Sequence, residues 1–480
     1  MPHHWRGVPL DDIQAGILKP HGRTYLRCVL LSFHPHKPSS PSPGSHWLTS
    51  FFKLAGITSA DKQIRDSQYR KAVFDRYDGG PVISLHLSRW GYKYFHIPDN
   101  TLPADPFFLA GMKSSFSIEA LSDPRPERWE EAFKTDPIHA LVLLADDEPD
   151  RLDTLQQRLF EGAHASYIAH LHIEEGEKLI RNESQYEHFG YRDGISNLKF
   201  FDSSNRIIPD RLPLALLQNG LNKHGSYLVF RKLRQDVAGF RAHLEALAGE
   251  LGLSYEQTAT QIMGRSLNGA SVLRKPGSRT GLEYAPIDFA EDPKGLICPF
   301  HAHIRKSNPR DTVHGSDPHQ IIRRGIPYGS KYRDHYISNI PEQEVGLLFM
   351  CYQSSINDQF AHIQRNWLNS PHAPYGHASK KEPWHVGIDP IAGQSQGKGG
   401  AQNWWDAGRK RVPYLFSDVV NLKGGEYFFA PPISFLRELS PRPRGEQTPI
   451  KPRSYSPRRS AGRRGYTHRS RRRQGRRKTR

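Results

Sequence analysis

Hydrophobic positions fall into two kinds of run along this chain. Residues 25–33 (YLRCVLLSF), 82–87 (VISLHL), 139–145 (HALVLLA) and 167–173 (YIAHLHI) are short and aliphatic, the length of buried strands. Between the third and fourth, residues 149–160 set Leu152, Leu155 and Leu159 at helical spacing. Another helical pattern starts at His46, after a Pro- and Ser-rich stretch at 35–45 that reads as a loop. The alternation then restarts with a strand at 226–230, an Ala/Leu/Glu-rich helix at 237–251 and a strand at 346–352. Ile356, Phe360, Ile363 and Trp367 stand at i, i+4, i+7 and i+11, which predicts one apolar helix face. A last strand at 426–430 is stopped by Pro431-Pro432, and a short helix follows at 433–439. Two such alternations predict an α+β fold in two related halves, 1–189 and 190–440.

The pattern ends there. Residues 441–480 hold almost no apolar side chains, carry Arg-Arg runs, and are expected to be a disordered basic tail. The tail has 16 of the 67 Lys and Arg and only Glu446 among the acids, a net of +15. The other 440 residues keep 51 basic and 48 acidic side chains, so the overall +18 does not mark the body as a nucleic-acid binder. Cys28, Cys298 and Cys351 are too few and too widely spaced for a disulfide framework or a CxxC pair, which suits a reducing compartment. No secretory leader and no apolar stretch of bilayer length is seen, so a soluble, cytoplasmic protein with no membrane partner is expected.

Three motifs could carry chemistry. Gly190-Tyr191-Arg192-Asp193-Gly194 joins the two halves, and the runs CPFHAHIRKSNPR (298–310) and RRGIPYG (323–329) follow in the second. Each has a plain structural reading taken alone. Asp-Gly marks a turn, His-Ala-His puts two imidazoles on the same face if the segment is extended, and Arg-Arg-Gly is a basic surface turn.

Taken together they resemble the signature of the dye-decolorising (DyP-type) haem peroxidases. GYRDG is similar to the family's GxxDG loop, the second run to the segment bearing the haem-ligating histidine, and the third to that bearing the distal arginine. Asp193 and His303 are 110 residues apart, and Arg323 follows 20 later, which is similar to the family's spacing. LDDIQ (10–14), Gly264-Arg265, Gln359-Phe360 with Trp367, Gly387-Ile388-Asp389-Pro390 and LKGGEYFFAP (422–431) extend the likeness over about 10–438, in the form of the larger fungal or actinobacterial members.

The resemblance implies two ferredoxin-like domains with antiparallel sheets, as in a dimeric α+β barrel, and haem b as cofactor. It implies that hydrogen peroxide oxidises phenolic, aromatic or dye-like reductants through a ferryl intermediate. His303, just before Ile-Arg-Lys, takes the iron-ligand position, and His301 stands where a small residue is usual, leaving it as an alternative ligand. With no Cys-x-x-Cys-His the haem is expected to be non-covalent. Asp193 is the candidate proton shuttle, because an aspartate is ordinarily ionised and can accept a proton. Arg323, four residues before Pro327, is the candidate for stabilising charge as the O–O bond breaks, chosen over Arg324. Arg310 is a candidate partner for a haem propionate. Two rival readings remain at this point, a haem-handling protein with little turnover, which needs His303 alone, and non-specific nucleic-acid binding through the tail. Neither oligomeric state nor natural reductant is legible.

Overall fold

The computed structural model describes residues 7–37, 41–72, 79–134, 137–273, 287, 289–310, 317–329, 340–341, 343–373, 385–394 and 400–440. The basic stretch 441–480 lies outside them. Among the described residues the strands are, in chain order, β1 Tyr25–Phe33, β2 Val82–Ser88, β3 Ala140–Asp146, β4 Ile168–Glu177, β5 Leu179–Arg181, β6 Ser184–Tyr186, β7 Ser226–Gln235, β8 Ile322–Arg323, β9 Ile326–Tyr328, β10 Gly346–Gln353, β11 Gln402–Trp405, β12 Arg411–Tyr414 and β13 Val420–Ala430. Those predicted from aliphatic runs are present, and β4, β7 and β13 extend four to six residues beyond their runs, because pairing recruits flanking polar residues that composition alone does not mark.

The order across the main sheet is β4-β1-β3-β2-β13-β7-β10-β8, with β9 also paired to β10, and β5–β6 and β11–β12 form separate hairpins. All pairings are antiparallel. The stretch 1–189 supplies the first four strands of this order and 190–440 the rest. They meet where Phe428 and Phe429 of β13 pair with Ser88 and Leu87 of β2, so both sets belong to one continuous sheet.

Bonds between strands that are not neighbours show that this sheet curls. His86 of β2 bonds Tyr352 of β10, Nε2 to Oη at 2.7 Å, and Lys232 of β7 donates to Glu174 of β4 at 2.9 Å. Gly176 of β4 meets Ile326 of β9 so closely that a Cβ there would lie 2.4 Å from the Ile326 Cγ2. A residue without a side chain therefore lets the two ends of the sheet come together as a barrel. β2 and β3 are buried along their whole length, and Trp47, Phe51, Phe107, Phe108 and Phe133 pack on the same core.

Two local expectations change. The 35–45 stretch is not all loop, since a helix runs from Pro43 to Leu54 with Ser42 Oγ accepting the Ser45 N–H at 3.0 Å. Ser followed by Pro here is an N-cap and first helical residue, a use of the pair that a turn reading misses. Ile356, Phe360, Ile363 and Trp367 are all buried but do not form one α-helical face, because the chain winds as a π-helix over Ile356–Ala361 and Ile363–Leu368. The wider winding breaks the α-helical register. Ile356 and Phe360 join the main core, whereas Ile363 and Trp367 belong to a second cluster with Leu368 and Ala373.

The barrel core also holds neutral histidines. Burial pulls His86 and His139 down to about 4, although the His86 bond to the Leu141 carbonyl works the other way. Burial likewise holds His21 and His301 at about 3 and His362 at about 4, and it moves the Glu187 carboxyl upward, to about 7. A histidine with a depressed folded pKa contributes stability that is present above about 6.5 and lost as the pH falls through about 4, roughly 3 kcal/mol at the limit for a fully buried one such as His86 and less for the partly exposed His362. Urea midpoints should drop steeply between about 6.5 and 4. A flat midpoint across that window would mean that these imidazoles accept protons without unfolding.

Candidate active site

His303 begins a short helix, His303–Ser307, so the His-Ala-His segment is not extended and its two imidazoles part company. That helix is fixed by the cations that follow the histidine. Arg305 is fully buried, donates to the Cys298 carbonyl at 2.7 Å and to the Asp292 carboxylate and carbonyl at 3.1 and 2.9 Å, and lies over the Phe289 and Phe300 rings. Lys306 Nζ donates to the carbonyls of Ser370, Ala373 and Gly387 at 2.7, 3.0 and 2.8 Å. Burial draws its pKa down to about 7 while the Asp389 charge pulls it up.

Lys306 thereby ties the His303 helix to the segment carrying Asp389. His303 Nδ1 donates to Asp389 Oδ2 at 3.0 Å, and the backbone N–H groups of Ile391 and Ala392 donate to Oδ1 at 2.9 and 2.6 Å. Burial alone would raise the Asp389 carboxyl, but His303 and these two amides outweigh it and hold it below its usual value. With Nδ1 committed as a donor, the lone pair of His303 sits on Nε2, and the partly exposed ring lines a cavity of about 510 Å³.

His301 takes another direction. It is buried edge-on against Trp404, ring centroids 4.2 Å apart, is not among the cavity-lining residues, and is kept neutral first by burial and then by the Lys306 charge.

Asp193 reaches the same cavity from the loop after β6, where its N–H donates to the Gln185 carbonyl at 2.8 Å. Gly194 at φ +79° lets its own N–H meet Asp193 Oδ1 at 2.6 Å, a left-handed conformation that explains the Asp-Gly pair. Arg323, in β8, places Nη1 3.8 Å from Asp193 Oδ1. Its neighbour Arg324, just past the end of β8, also borders the cavity but spends its charge on backbone. That guanidinium donates to the carbonyls of Gly16, Ile17 and Arg323 at 2.6, 2.8 and 2.8 Å, and it is buried.

Arg310 and Arg265 line the cavity as well. Arg265 donates to Gly269 O and Ser196 Oγ, and its pKa is lowered to about 10, first by burial and then by the charges of Arg310 and Arg323. Three guanidinium groups that disfavour one another beside one cavity call for anionic groups on whatever fills it. Asn308 Oδ1, buried at the cavity wall, has no hydrogen-bond partner among the described residues. Also among the described residues, no group of three or more His, Cys, Asp and Glu side chains could hold a metal ion. An imidazole whose Nε2 lone pair is left by the Asp389 bond, a large cavity and crowded arginines fit a metal that brings its own macrocycle and carboxylates.

Two family descriptions match the chain, "DyP dimeric alpha+beta barrel domain" over residues 53–178 and "Dyp-type peroxidase, C-terminal" over 184–375. The chain is 30% identical over 470 residues to the multifunctional dye peroxidase DyP2 of Amycolatopsis sp., covering 90% of this chain and 96% of that protein. It belongs to the DyP-type peroxidases. Among solved structures, the DyP-type peroxidase of Anabaena sp. superposes with TM-score 0.77 at 32% identity, covering 90% of this chain and 94% of that one. A dye-decolorizing peroxidase solved in complex with 2,6-dimethoxyphenol superposes with TM-score 0.73 at 25% identity, covering 90% and 99%.

Sequence reasoning thus brought His303, Asp193, Arg323 and Arg310 to one cavity, and it passed over what supports them. Asp389 was visible only as part of Gly387-Ile388-Asp389-Pro390. Phe360 was read as core, yet it also lines the cavity, as does Arg265. The two adjacent arginines should separate in stability. Arg324→Leu strands three carbonyls and should cost at least about 3 kcal/mol in denaturant unfolding of the haem-free protein, whereas Arg323→Leu should cost less than about 1. Equal losses would contradict this division of labour.

Proposed function

We propose that this DyP-type peroxidase binds haem b non-covalently through His303 Nε2 and uses hydrogen peroxide to oxidise phenolic, aromatic or dye-like molecules one electron at a time. The observation that carries the reading is the His303–Asp389 pair at 3.0 Å on a cavity that also collects Asp193 and Arg323. Bound haem would supply the iron at which peroxide is split and the oxidising equivalents are held. Non-covalent attachment is supported by three buried, free cysteines, none of which lines the cavity.

The chain's own residues do the rest. The Asp389 carboxylate keeps the proton on Nδ1 and makes Nε2 a stronger donor towards iron. Asp193 takes a proton from one peroxide oxygen and returns it to the other, which leaves as water. Arg323 cannot serve as the base, but its fixed charge favours the negative charge that develops as the O–O bond lengthens. Arg310 and Arg265 match haem propionates. A haem carrier without turnover would need His303 but would gain nothing from Asp193 and Arg323, so their convergence favours the enzyme.

His303→Ala should lose haem or its histidine-ligated spectrum, while His301→Ala should keep both. Asp193→Asn and Arg323→Leu should retain haem yet react with stoichiometric peroxide in stopped flow about 10²-fold or more slowly. Haem lost from the His301 variant, or wild-type rates in the other two, would remove these assignments.

The tail is proposed as an accessory polyanion-binding element on its net charge of +15. Deleting residues 441–480 should leave haem content and turnover of a small neutral reductant unchanged, since the compact unit ends at Pro441. Nucleic-acid retention at low salt should disappear with it, and equal retention by both forms would show that the tail is not the binding element.

A further inference from the structure

The loop that presents Asp193 is wrapped around one side chain, Glu187. Its Oε2 accepts the Phe189 N–H and its Oε1 the Tyr191 N–H, both at 2.9 Å. The Glu187 backbone closes the same turn, its N–H donating to the Tyr191 carbonyl at 3.1 Å and its carbonyl accepting from Gly190 at 2.9 Å. A third donor to the carboxylate, Gln235 Nε2 at 2.6 Å, ties the loop to the end of β7. Gln235 is itself held in place, its N–H bonded to the Val345 carbonyl at 2.9 Å. Side chains on either side of the turn fasten it outward, Phe189 stacked on Phe240 at 4.3 Å and Tyr191 Oη donating to the Ala259 carbonyl at 2.7 Å. Asp193 follows two residues after Tyr191, and both carboxylates line the cavity.

We infer that Glu187 is the positioning residue of Asp193: its carboxylate organises the 187–191 turn from within and so fixes where the Asp193 carboxylate stands in the cavity. This rests on the proton-shuttling role proposed for Asp193. A carboxylate suits the task because it offers acceptor sites on both oxygens to three convergent donors, which no neutral side chain of its size does. Burial and then the neighbouring Asp193 charge push the Glu187 carboxyl up to about 7, so a second acid is kept this close to Asp193 at an electrostatic cost. Its three hydrogen bonds, two of them to the loop's own amides, give a reason for accepting that cost.

The test uses the full-length, haem-loaded protein and the rate of the first haem spectral change on mixing with hydrogen peroxide. Glu187→Gln replaces one acceptor oxygen by an NH₂ that faces an N–H, and should slow the reaction at least about tenfold with haem content and resting spectrum unchanged. Glu187→Asp keeps the carboxylate and should recover part of that loss. Because the effect runs through Asp193, the Glu187→Gln/Asp193→Asn double variant should be within about twofold of Asp193→Asn alone. A wild-type rate in Glu187→Gln, or losses that multiply in the double variant, would overturn the inference while leaving the role of Asp193 intact. A wild-type rate in Asp193→Asn would instead remove the role on which the inference rests. Should Glu187→Gln fail to hold haem, Gln235→Met, which removes only the tether from β7, enters the same cycle. There a several-fold loss that vanishes in the Asp193→Asn background is expected, and no loss would count against the inference.

Discussion

The constraint on which the rest of the candidate site depends is the cost of holding a carboxylate in a fully buried position. Asp389 is 0% exposed, and such a charge persists only where donors converge on it. Here the donors are His303 Nδ1 and the amides of Ile391 and Ala392, so satisfying Asp389 also sets the ring orientation and tautomer of His303. The cations of the Ile-Arg-Lys run serve the same end. Arg305 anchors the helix to the Asp292 turn, and Lys306 bridges it to the Asp389 segment through three backbone carbonyls. Removing any one of these groups would leave another buried polar group unpaired.

Across the cavity lining the logic is reversed, with like charges gathered together. Arg323 stands 3.8 Å from Asp193, longer than a hydrogen bond, and Arg265 feels the charges of Arg310 and Arg323. The protein carries this unbalanced charge where a ligand with carboxylates and a reaction with developing negative charge would use it. Preorganised donors of this kind give their full effect only if the loops that bear them do not relax. The tightly bonded turn around Glu187 and the three-carbonyl anchor of Arg324 beside Arg323 are the features that resist relaxation.

Much of this was legible in the sequence, and the remainder was hidden for identifiable reasons. Aliphatic runs such as ALVLLA announce strands because burial on both faces leaves no polar alternation to misread. The joining of the two strand sets was not legible, since the pairing of Phe428 and Phe429 with Ser88 and Leu87 links residues 340 and 342 apart through backbone groups that every sequence possesses. The π-helical winding from Ile356 escaped because spacing alone cannot separate one apolar face from two cores on opposite sides. His303, Asp193 and Arg323, which line one cavity, were singled out through the form and order of their motifs. Asp389 is 86 residues from His303, and only the fold reveals that the two touch. Nothing in the sequence shows that the guanidinium of Arg324 is spent on the carbonyls of Gly16, Ile17 and Arg323, because the first two lie about 300 residues away.

The pairing of His303 with Asp389 is tested most directly by the iron–histidine stretching vibration of the reduced, haem-loaded protein, measured by resonance Raman in the wild type and in Asp389→Asn. A carboxylate that polarises Nδ1–H strengthens the bond from Nε2 to iron, so the account predicts a clear shift to lower frequency in the variant, with haem still bound. An unchanged frequency would show that Asp389 does not tune the ligand, and a wild-type band that survives in His303→Ala would show that His303 is not the ligand.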